Sequence, residues 1–356
     1  MGSVKDLEIK TDPNKNELGI GTFNFSDRFS IFDWGVMPDH IQNKGAALCM
    51  MAAWNFERLE DQGIPTHYLG VLDSSEKLVK TSNLLEPSTR MVITLSKVIK
   101  PNFENGKYSY IIFTENRGGI NNYVIPLEFI YRRGAPEGSS LFKKIAGLEE
   151  KGDLEGLKKL LAPYGLTEKP KPGDLFPKTG YDFTTKFESS DRILTEREAY
   201  ENSGLTEEYL EKLKSIRDDV VKFVSGRAQE VNLIDFDGKQ EFRFFNGVQL
   251  ADVVGTFDEN RFMFNGEQVS KEVLRQHYKK AQPGWCGEVE RAKQEAAKNG
   301  ISDWKSLVII QPQKLDPDLI SLVGEMYAAG SDLYTGSNLF RVRPLEIIME
   351  ELRTYQ

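Results

Sequence analysis

Apolar and polar residues alternate with the two-residue period of β-strands along the first thirty residues of the chain. Residues 7–9 and 18–20 flank a turn-forming Asp-Pro-Asn segment at residues 12–14, a pattern that predicts a hairpin at the start of a sheet. From residue 44 to 59 the apolar side chains recur every three to four positions, which predicts an amphipathic helix. The β-rich runs between residues 90 and 133 predict that the same sheet continues to that point.

The second half of the chain has longer helical periods. Residues 207–224 predict a long helix, residues 231–254 predict a hairpin, and the chain from residue 270 onward is mostly helical in pattern. We therefore expect an α+β protein with an N-terminal sheet domain over residues 1–133 and a larger α+β domain over residues 134–356. The Lys-Pro-Lys-Pro-Gly segment at residues 169–173 is the best linker candidate, and it favours a boundary near Pro172 instead.

The composition and net charge of the chain indicate which kinds of molecule it can bind. Hydrophobic residues make up 39% and charged residues 28% of the 356 positions, as expected for a globular chain with a sizeable core. The 46 Lys and Arg residues face 54 Asp and Glu residues, for a net charge of -8, which argues against nucleic acid or an anionic membrane as partner. No apolar run approaches the roughly 18 residues of a membrane helix. We expect a soluble cytoplasmic protein with small-molecule partners, and leave open whether it forms a homo-oligomer.

Cysteine and histidine offer little chemistry. Cys49 and Cys286 have neither metal-ligand nor disulfide spacing, which agrees with a reducing compartment. His40, His67 and His277 share no metal-ligand spacing either. We expect each histidine to be a structural or surface residue.

The dipeptide Asn246-Gly247 separates two β-rich runs and is the strongest short-range hairpin signal in the chain. A two-residue loop at this position would set Glu241 directly opposite Asp252 on the neighbouring strand. Two carboxylates would then lie side by side, which is destabilising unless a cation compensates them.

The first strand of this hairpin carries a charged face. Asp237, Lys239 and Glu241 are spaced two residues apart, so their side chains share one face of the strand. Mg²⁺ held by Glu241 and Asp252 together with substrate phosphates would supply the missing positive charge. Lys239 could neutralise part of the charge or reach a phosphate oxygen. The alternative is a solvated polar face on an edge hairpin.

Six segments resemble, in order and approximate spacing, the motifs of the phosphoribosylaminoimidazole-succinocarboxamide synthase (SAICAR synthetase) family. Residues 237–242, Asp-Gly-Lys-Gln-Glu-Phe, resemble the family's Asp-x-Lys-x-Glu-Phe motif. The other similar segments are residues 26–33 with the Lys-Gly pair at 44–45, and residues 126–139, 185–191, 252–262 and 271–275.

The resemblance implies a SAICAR synthetase-like two-lobed fold, with an N-terminal antiparallel sheet domain, a larger α+β domain and ATP in the cleft between them. It also implies an ATP-dependent carboxylate–amine ligase of purine biosynthesis. Such an enzyme uses ATP and Mg²⁺ to join the carboxylate of carboxyaminoimidazole ribonucleotide (CAIR) to the amine of L-aspartate. The implied route passes through an acyl phosphate and gives SAICAR, ADP and phosphate.

The resemblance also assigns roles to individual residues. Lys239 and Asp237 are the implied catalytic residues. The implied ATP-binding residues are Lys5, Glu128 and Lys239. The implied Mg²⁺ ligands are Glu241 and Asp252. The implied substrate-binding residues are Asp27, Arg28, Lys44, Arg132, Arg133, Ser139, Arg261, Lys271 and Arg275, where one extra residue before position 138 leaves open which of the two adjacent arginines binds phosphate.

Several positions depart from the family pattern. Ser3 stands where the family has the first lysine of an N-terminal phosphate loop, Val253 stands where it has an acidic residue, and Glu259-Asn260 replaces two serines. Three functions therefore stay open: the purine-pathway ligase, a diverged ligase acting on another carboxylate and amine, and a non-catalytic nucleotide-binding relative. Retention of both proposed Mg²⁺ carboxylates disfavours the third.

Overall fold

The computed structural model describes residues 4–104, 106–188, 191–301 and 303–355. The strands are β1 Lys5–Thr11, β2 Gly19–Phe25, β3 Tyr68–Leu72, β4 Leu78–Val79, β5 Arg90–Leu95, β6 Asn102–Glu104, β7 Lys107–Ser109, β8 Asn122–Val124, β9 Leu127–Gly134, β10 Leu175–Thr185, β11 Ile193–Leu194, β12 Leu233–Phe245, β13 Val248–Ala251, β14 Asn260–Phe264 and β15 Glu267–Val269. The helices are α1 Lys44–Asp61, α2 Ile111–Thr114, α3 Ser140–Glu150, α4 Leu154–Leu161, α5 Glu196–Ser203, α6 Glu207–Glu230, α7 Glu272–Ala281, α8 Pro283–Asn299, α9 Pro317–Thr335 and α10 Leu345–Leu352.

Two antiparallel sheets organise the chain, so the predicted α+β class is confirmed. The first sheet has the strand order β1-β2-β5-β3-β4. The second has the order β11-β10-β9-β12-β14-β15, and β8 and β13 pair with the far end of β12. The predicted hairpin of β1 and β2 is present, as are the predicted long helix α6 and the helical C-terminal region.

Helix α1 confirms the helix predicted over residues 44–59. It begins after Asn43, which has a left-handed backbone, and the chain turns away at Gly63, whose φ is also positive. Its alanine-rich sequence favours helix and leaves room for close packing. The helix packs against the first sheet on one side and against α9 on the other, and almost all of its residues are buried.

The long strand β12 carries the site-forming residues. Its first half pairs with β9 and β14, and its second half pairs with β8 and β13. A bulge between Asp235 and Asp237 shifts the pairing with β14 by one residue. Because a bulge interrupts the side-chain alternation, Asp235 points into the core while Asp237 shares the opposite face with Lys239 and Glu241.

The predicted continuation of the first sheet through residues 90–133 is wrong. The first sheet takes only β5 from this region, and β8 and β9 join the second sheet. The apolar run after Tyr108 forms the short helix α2 instead of a strand, since this turn buries Phe113 against Tyr123. Tertiary burial therefore outweighs β-propensity here.

Residues 169–173 do not link two lobes, because the strands on either side of them, β9 and β10, are neighbours in one sheet. The backbone N–H of Gly173 donates to the carbonyl of Ala135 at 2.7 Å, so the segment follows the end of that sheet. The division after residue 133 stays a prediction. In the described part of the chain, no helix is both long enough and apolar enough to cross a membrane.

A buried ion pair joins α1, α9 and the loop before β14. The Lys44 side chain is 0% exposed. Its Nζ donates to Asp258 Oδ2 at 2.7 Å, and Tyr327 Oη donates to Asp258 Oδ1 at 2.8 Å. Burial opposes ionisation of Asp258, but the charge of Lys44 outweighs it, and the pKa of Asp258 lies below its ordinary value.

We expect Lys44→Met to lower the free energy of unfolding by about 3–5 kcal/mol, because Asp258 would stay buried without its counter-charge. Guanidinium denaturation at neutral pH measures this. The double variant Lys44→Met/Asp258→Asn removes both charges and should lose less stability than Lys44→Met alone. An equal or larger loss in the double variant would contradict the coupling.

The same pair predicts a pH dependence. The folded-state pKa of Asp258 is lowered, so its stabilisation is fully present above the unfolded pKa of about 4 and is lost as the pH falls through the folded value. Between pH 6 and pH 2 the wild type should therefore lose more stability than the double variant. Parallel losses would show that Asp258 does not contribute.

Candidate active site

A cavity of about 420 Å³ opens between the two sheets. Its apolar wall is formed by Leu7, Ile9, Phe23, Ile93, Leu95 and Val124. Leu7 and Ile9 on β1 are 47% and 53% exposed, which is unusual for side chains that face inward over a cavity. At its other end the cavity reaches Lys186, Glu241 and Asp252. The cavity thus has both an apolar wall and a group of charged side chains.

Two lysines neutralise Glu241. Lys239 Nζ donates to Glu241 Oε1 at 2.6 Å and to Glu128 Oε1 at 3.2 Å. Lys186 also pairs with Glu241, and its Nζ lies 3.9 Å from Glu128 Oε1. Glu128 comes from β9 and Lys186 from the segment just after β10, so neighbouring strands supply the partners.

Asp252 forms the other negative centre. Lys5 Nζ lies 2.8 Å from Asp252 Oδ1, which ties the first strand to the far wall of the cleft. Asp252 has a left-handed backbone with φ of 60°, a conformation that Asp tolerates better than most residues. The buried His67 ring lies with Nε2 at 3.1 Å from the Asp252 carbonyl oxygen, so this nitrogen must carry the proton and donate it.

The predicted pairing of Glu241 with Asp252 is wrong by one residue. Glu241 lies opposite Ala251, and Asp252 follows the end of β13. The loop between the paired strand ends is three residues long, not two, because the last pair is Phe244 with Val248.

Asn121, from a distant part of the chain, contacts the loop of this hairpin. The backbone N–H of Asn246 donates to Asn121 Oδ1 at 3.0 Å, and Asn121 Nδ2 donates to Asn246 Oδ1 at 2.9 Å. The predicted charged face nevertheless forms, because Lys186 and Lys239 pair with Glu241 and Lys5 pairs with Asp252. Burial and the charge of Asp252 oppose ionisation of Glu241, but Lys239 and Lys186 outweigh them and hold the pKa of Glu241 below its ordinary value.

The ionisable side chains described above form one charged cluster, in which the charge of each group affects the others. Its members are Lys5, Glu128, Lys186, Lys239, Glu241 and Asp252. Burial raises the pKa of Glu128 to about 7. Burial also opposes ionisation of Asp252, but Lys5, Lys239 and Lys186 outweigh it and hold the pKa of Asp252 below its ordinary range. Lys239 remains a cation despite burial, because the carboxylates around it hold its pKa well above the ordinary value.

Glu241 and Asp252 fit Mg²⁺ only when a bound nucleotide supplies further oxygen ligands. No cluster of three or more Asp, Glu, His or Cys side chains suited to a metal occurs among the described residues. Glu241 and Asp252 supply two carboxylates, and Mg²⁺ in nucleotide sites is commonly held by one or two carboxylates plus phosphate oxygens and water. The two carboxylates therefore suit a nucleotide-bound Mg²⁺ and not a permanent metal centre.

A second polar site surrounds Asp237. Arg132 on β9 and Arg261 on β14 lie directly opposite it on either side of β12. Arg261 Nε donates to Asp237 Oδ1 at 2.8 Å, and Arg132 Nη1 lies 3.5 Å from Asp237 Oδ2. Arg132 also donates to Ser140 Oγ at 3.3 Å and to Asp182 Oδ2 at 2.8 Å. Two guanidinium groups thus converge near the start of α3.

Arg133 and Ser139 have different surroundings. Arg133 lies on the opposite face of β9 from Arg132 and donates to the Asp235 carbonyl at 3.1 Å. Ser139 caps α3 by accepting a hydrogen bond from the backbone N–H of Leu141 at 3.4 Å. The arginine that shares a face with the charged cluster is therefore Arg132.

The predicted substrate-side residues Asp27, Arg28 and Lys44 are engaged within the fold. Asp27 Oδ1 accepts a hydrogen bond from the Gly45 backbone at 3.0 Å, and Arg28 pairs with Asp6 at 2.7 Å. Lys44 is the buried partner described above and has no exposed surface. Their substrate contacts stay predictions.

At the start of α7, Lys271 and Arg275 lie close to the cluster. Burial lowers the pKa of Lys271, which also experiences the charges of Asp258 and Glu259. Arg275 donates to Glu272 Oε2 at 3.1 Å. The proposed phosphate loop at residues 2–3 lies outside the described residues.

The sequence assigned no role to three residues that the structure places in or against the cluster. Lys186 lies within a segment similar to the family, which was the available signal. His67 gave none, because its role depends on a contact with a residue far along the chain. Glu259 was visible only as a departure from the family pattern, and its Oε2 lies 3.5 Å from Lys239 Nζ.

Comparisons with known proteins agree with this architecture. The SAICAR synthetase family model matches residues 14–292. A protein of Archaeoglobus fulgidus, provisionally named phosphoribosylaminoimidazole-succinocarboxamide synthase, is 38% identical over 355 residues and covers 99% of both chains. The synthase of Thermoplasma volcanium is 30% identical over 343 residues, or 94% of each chain.

Solved structures share the fold. The SAICAR synthase of Saccharomyces cerevisiae, complexed with SAICAR, superposes with a TM-score of 0.59 at 19% identity over 95% of this chain and 94% of that one. A type-2 SAICAR synthetase in complex with ADP gives a TM-score of 0.51 at 19% identity, over 77% and 88% of the two chains. The family match and the full-length relatives together show that this chain belongs to the SAICAR synthetase family, the ATP-dependent ligases of purine biosynthesis.

Proposed function

We propose that the protein condenses CAIR with L-aspartate, using Mg-ATP and releasing SAICAR, ADP and phosphate. The observation that carries this proposal is the pair of lysine-neutralised carboxylates, Glu241 and Asp252, at the polar end of an apolar cavity. This arrangement suits a nucleotide whose base occupies the cavity and whose phosphates reach the lysines.

The ATP site follows from the shape of the cleft. Leu7 and Ile9 line the cavity and are about half exposed, and a bound adenine would cover both. Lys5, Lys186 and Lys239 surround the polar end and can each turn from a carboxylate to a phosphate oxygen. Such positioning and charge neutralisation is the main requirement of phosphoryl transfer.

Glu241 and Asp252 would hold Mg²⁺, which supplies additional neutralisation of phosphate charge when it is bound. Release of the three lysines from these carboxylates would then accompany nucleotide binding. Glu128, with its raised pKa, would remain beside Lys239 and keep that lysine in place.

The ribonucleotide phosphate would bind between Arg132 and Arg261. Guanidinium forks suit phosphate oxygens, and the N-terminus of α3 at Ser140 adds backbone N–H groups and a favourable dipole. Asp237 holds the two arginines in place, so its role in this proposal is to position them. This assignment selects Arg132 over Arg133.

The reaction needs two steps. An oxygen of the CAIR carboxylate forms a bond to the γ-phosphorus of ATP, and the bond from that phosphorus to the bridging oxygen breaks, releasing ADP. The aspartate ammonium loses one proton to water, and its free amine then forms a bond to the acyl carbon. Phosphate leaves with the electron pair of the broken carbon–oxygen bond, and the nitrogen gives a second proton to water to leave the neutral amide. In this proposal Lys239 neutralises charge on the transferring group.

The substitution at Glu259 favours a second candidate, a diverged ligase acting on another carboxylate or amine. Val253 is buried in the core, so its lack of charge leaves the metal carboxylates intact. Only Glu259 changes the chemistry of the cleft.

Both cysteines are free, which agrees with the cytoplasmic location that we propose.

The decisive assay is ADP release from purified protein with Mg-ATP and CAIR, with and without L-aspartate, combined with mass detection of the product. Aspartate-dependent ADP release and the mass of SAICAR are expected. Nucleotide binding without this product would redirect the assignment to another carboxylate or amine.

We expect Glu241→Gln to lower kcat by at least about 100-fold, because the variant loses a metal ligand and leaves Lys239 and Lys186 with less counter-charge. Steady-state kinetics over a Mg²⁺ titration measures the effect, and denaturation should show only a modest change in stability. Glu211→Gln, on the exposed face of α6, is the matched control. Near-normal Mg²⁺-dependent turnover of Glu241→Gln would refute the metal assignment.

Replacing the two adjacent arginines separately tests the phosphate site. Arg132→Ala should raise the KM for CAIR about tenfold or more while changing the KM for ATP little, since one charge-assisted phosphate contact is lost. Arg261→Ala should behave similarly. Arg133→Ala, on the other face of the strand, should leave the KM for CAIR within about twofold. The reverse ranking of Arg132 and Arg133 would contradict the proposed site.

A further inference from the structure

The side chain of Glu259 faces the cleft because its neighbour faces the core. Asn260 is buried, and its Nδ2 donates to Asp235 Oδ1 at 2.9 Å. Side chains alternate along a strand, so the residues on either side of Asn260, Glu259 and Arg261, turn to the face that carries Asp237. The Glu259 carbonyl also accepts a hydrogen bond from the Lys239 backbone at 3.2 Å. Glu259 is thereby held between the proposed ATP phosphates and the proposed ribonucleotide phosphate.

Glu259 is the most loosely paired carboxylate of the cluster. Its nearest lysine nitrogen, on Lys239, is 3.5 Å away, compared with 3.2 Å for Glu128, 2.8 Å for Asp252 and less for Glu241. Its side chain is only 16% exposed. A partly buried carboxylate without a close counter-ion is costly, so a cationic ligand group would stabilise it.

A negative charge at this position is unfavourable for the anionic substrates. The carboxylates around Lys5 and Lys239, Glu259 among them, outweigh burial and raise the pKa of both lysines. Glu259 therefore weakens the positive potential available to ATP and to the ribonucleotide. The proposed metal does not require Glu259, because Glu241 and Asp252 already supply the one or two carboxylates that commonly hold a nucleotide-bound Mg²⁺. The remaining cation of the proposed reaction is the ammonium group of the amine substrate.

Groups suited to the carboxylates of the same substrate lie beside Glu259. The Lys271 backbone N–H donates to the carbonyl of Phe257, two residues before Glu259, at 3.3 Å, yet no carboxylate of the described chain pairs with Lys271 Nζ at ion-pair distance. Arg275, one helical turn further along, has a buried Nε without a hydrogen-bond partner within the described structure. An anionic group next to two cationic groups matches a zwitterionic amino acid.

We propose that Glu259 binds the ammonium group of the amine donor, while Lys271 and Arg275 bind its carboxylates. Glu259 is then the residue that selects an amino acid, and here it takes the position where the family pattern has serine. The proposal rests on the proposed function, since it assigns the second substrate of that same reaction. It predicts that the amine enters from the α7 side of the cleft.

Hydroxylamine separates amine recognition from the rest of the reaction. It is uncharged at neutral pH and traps an acyl phosphate as a hydroxamate, so it needs no ammonium site. In Glu259→Gln, kcat/KM for L-aspartate should fall about 30-fold or more, because an ionic contact with the substrate is lost. CAIR- and ATP-dependent hydroxamate formation should stay within about threefold of wild type.

Two further variants sharpen the test. Lys271→Met should also raise the KM for L-aspartate and spare hydroxamate formation, and Glu211→Gln on the surface of α6 should change neither reaction. Equal loss of both reactions in Glu259→Gln, or a raised Mg²⁺ requirement, would overturn the proposal by assigning Glu259 to the nucleotide, the metal or the fold. Unchanged use of L-aspartate in Glu259→Gln would also overturn it. A wild-type protein that forms neither hydroxamate nor amide would instead refute the proposed function itself.

Discussion

Charge compensation across β12 is the interaction on which the rest of the site depends. Glu241 and Asp252 are carboxylates in a partly desolvated cleft, and each is neutralised by lysines from other elements: Lys186 and Lys239 for the first, Lys5 for the second. An unpaired carboxylate at either position would be strongly destabilising. Because the partners are long flexible ammonium groups, the same charges can be redistributed when phosphates and a divalent cation enter.

Buried contacts hold the loop that follows Asp252. Lys44 and Tyr327 fix Asp258 in the loop that follows Asp252. Asn55 on α1 donates to the carbonyls of Val254 and Gly255 in the same loop at 2.9 and 3.2 Å. These contacts are fully buried, so the loop that carries Asp252 and Glu259 is anchored rigidly. The proposed exchange of charge partners would therefore take place among the lysines, while the loop that carries Asp252 stays in place.

Much of this could be predicted from the sequence, because it depends on local patterns. The period of apolar residues predicted α1, and the alternation in β12 predicted that Asp237, Lys239 and Glu241 share a face. Contacts between distant segments could not be predicted in this way. The hairpin register differs by one residue at a loop that Asn121 contacts, and β8 and β9 join the second sheet because their partners there come from β10 and β12. The burial of Lys44 and the role of His67 also depend on residues roughly 200 positions away in sequence. Glu259 was visible as a substitution, but only the fold shows which charges surround it.

The most direct test of this account is a crystal structure of the protein with Mg²⁺ and a non-hydrolysable ATP analogue. We predict that the base lies in the apolar cavity under Leu7 and Ile9, that Glu241 and Asp252 contact the metal, and that Lys5 has left Asp252 for a phosphate oxygen. A nucleotide bound elsewhere, with the lysine–carboxylate pairs unchanged, would contradict the central claim that these lysines and carboxylates form the Mg-ATP site.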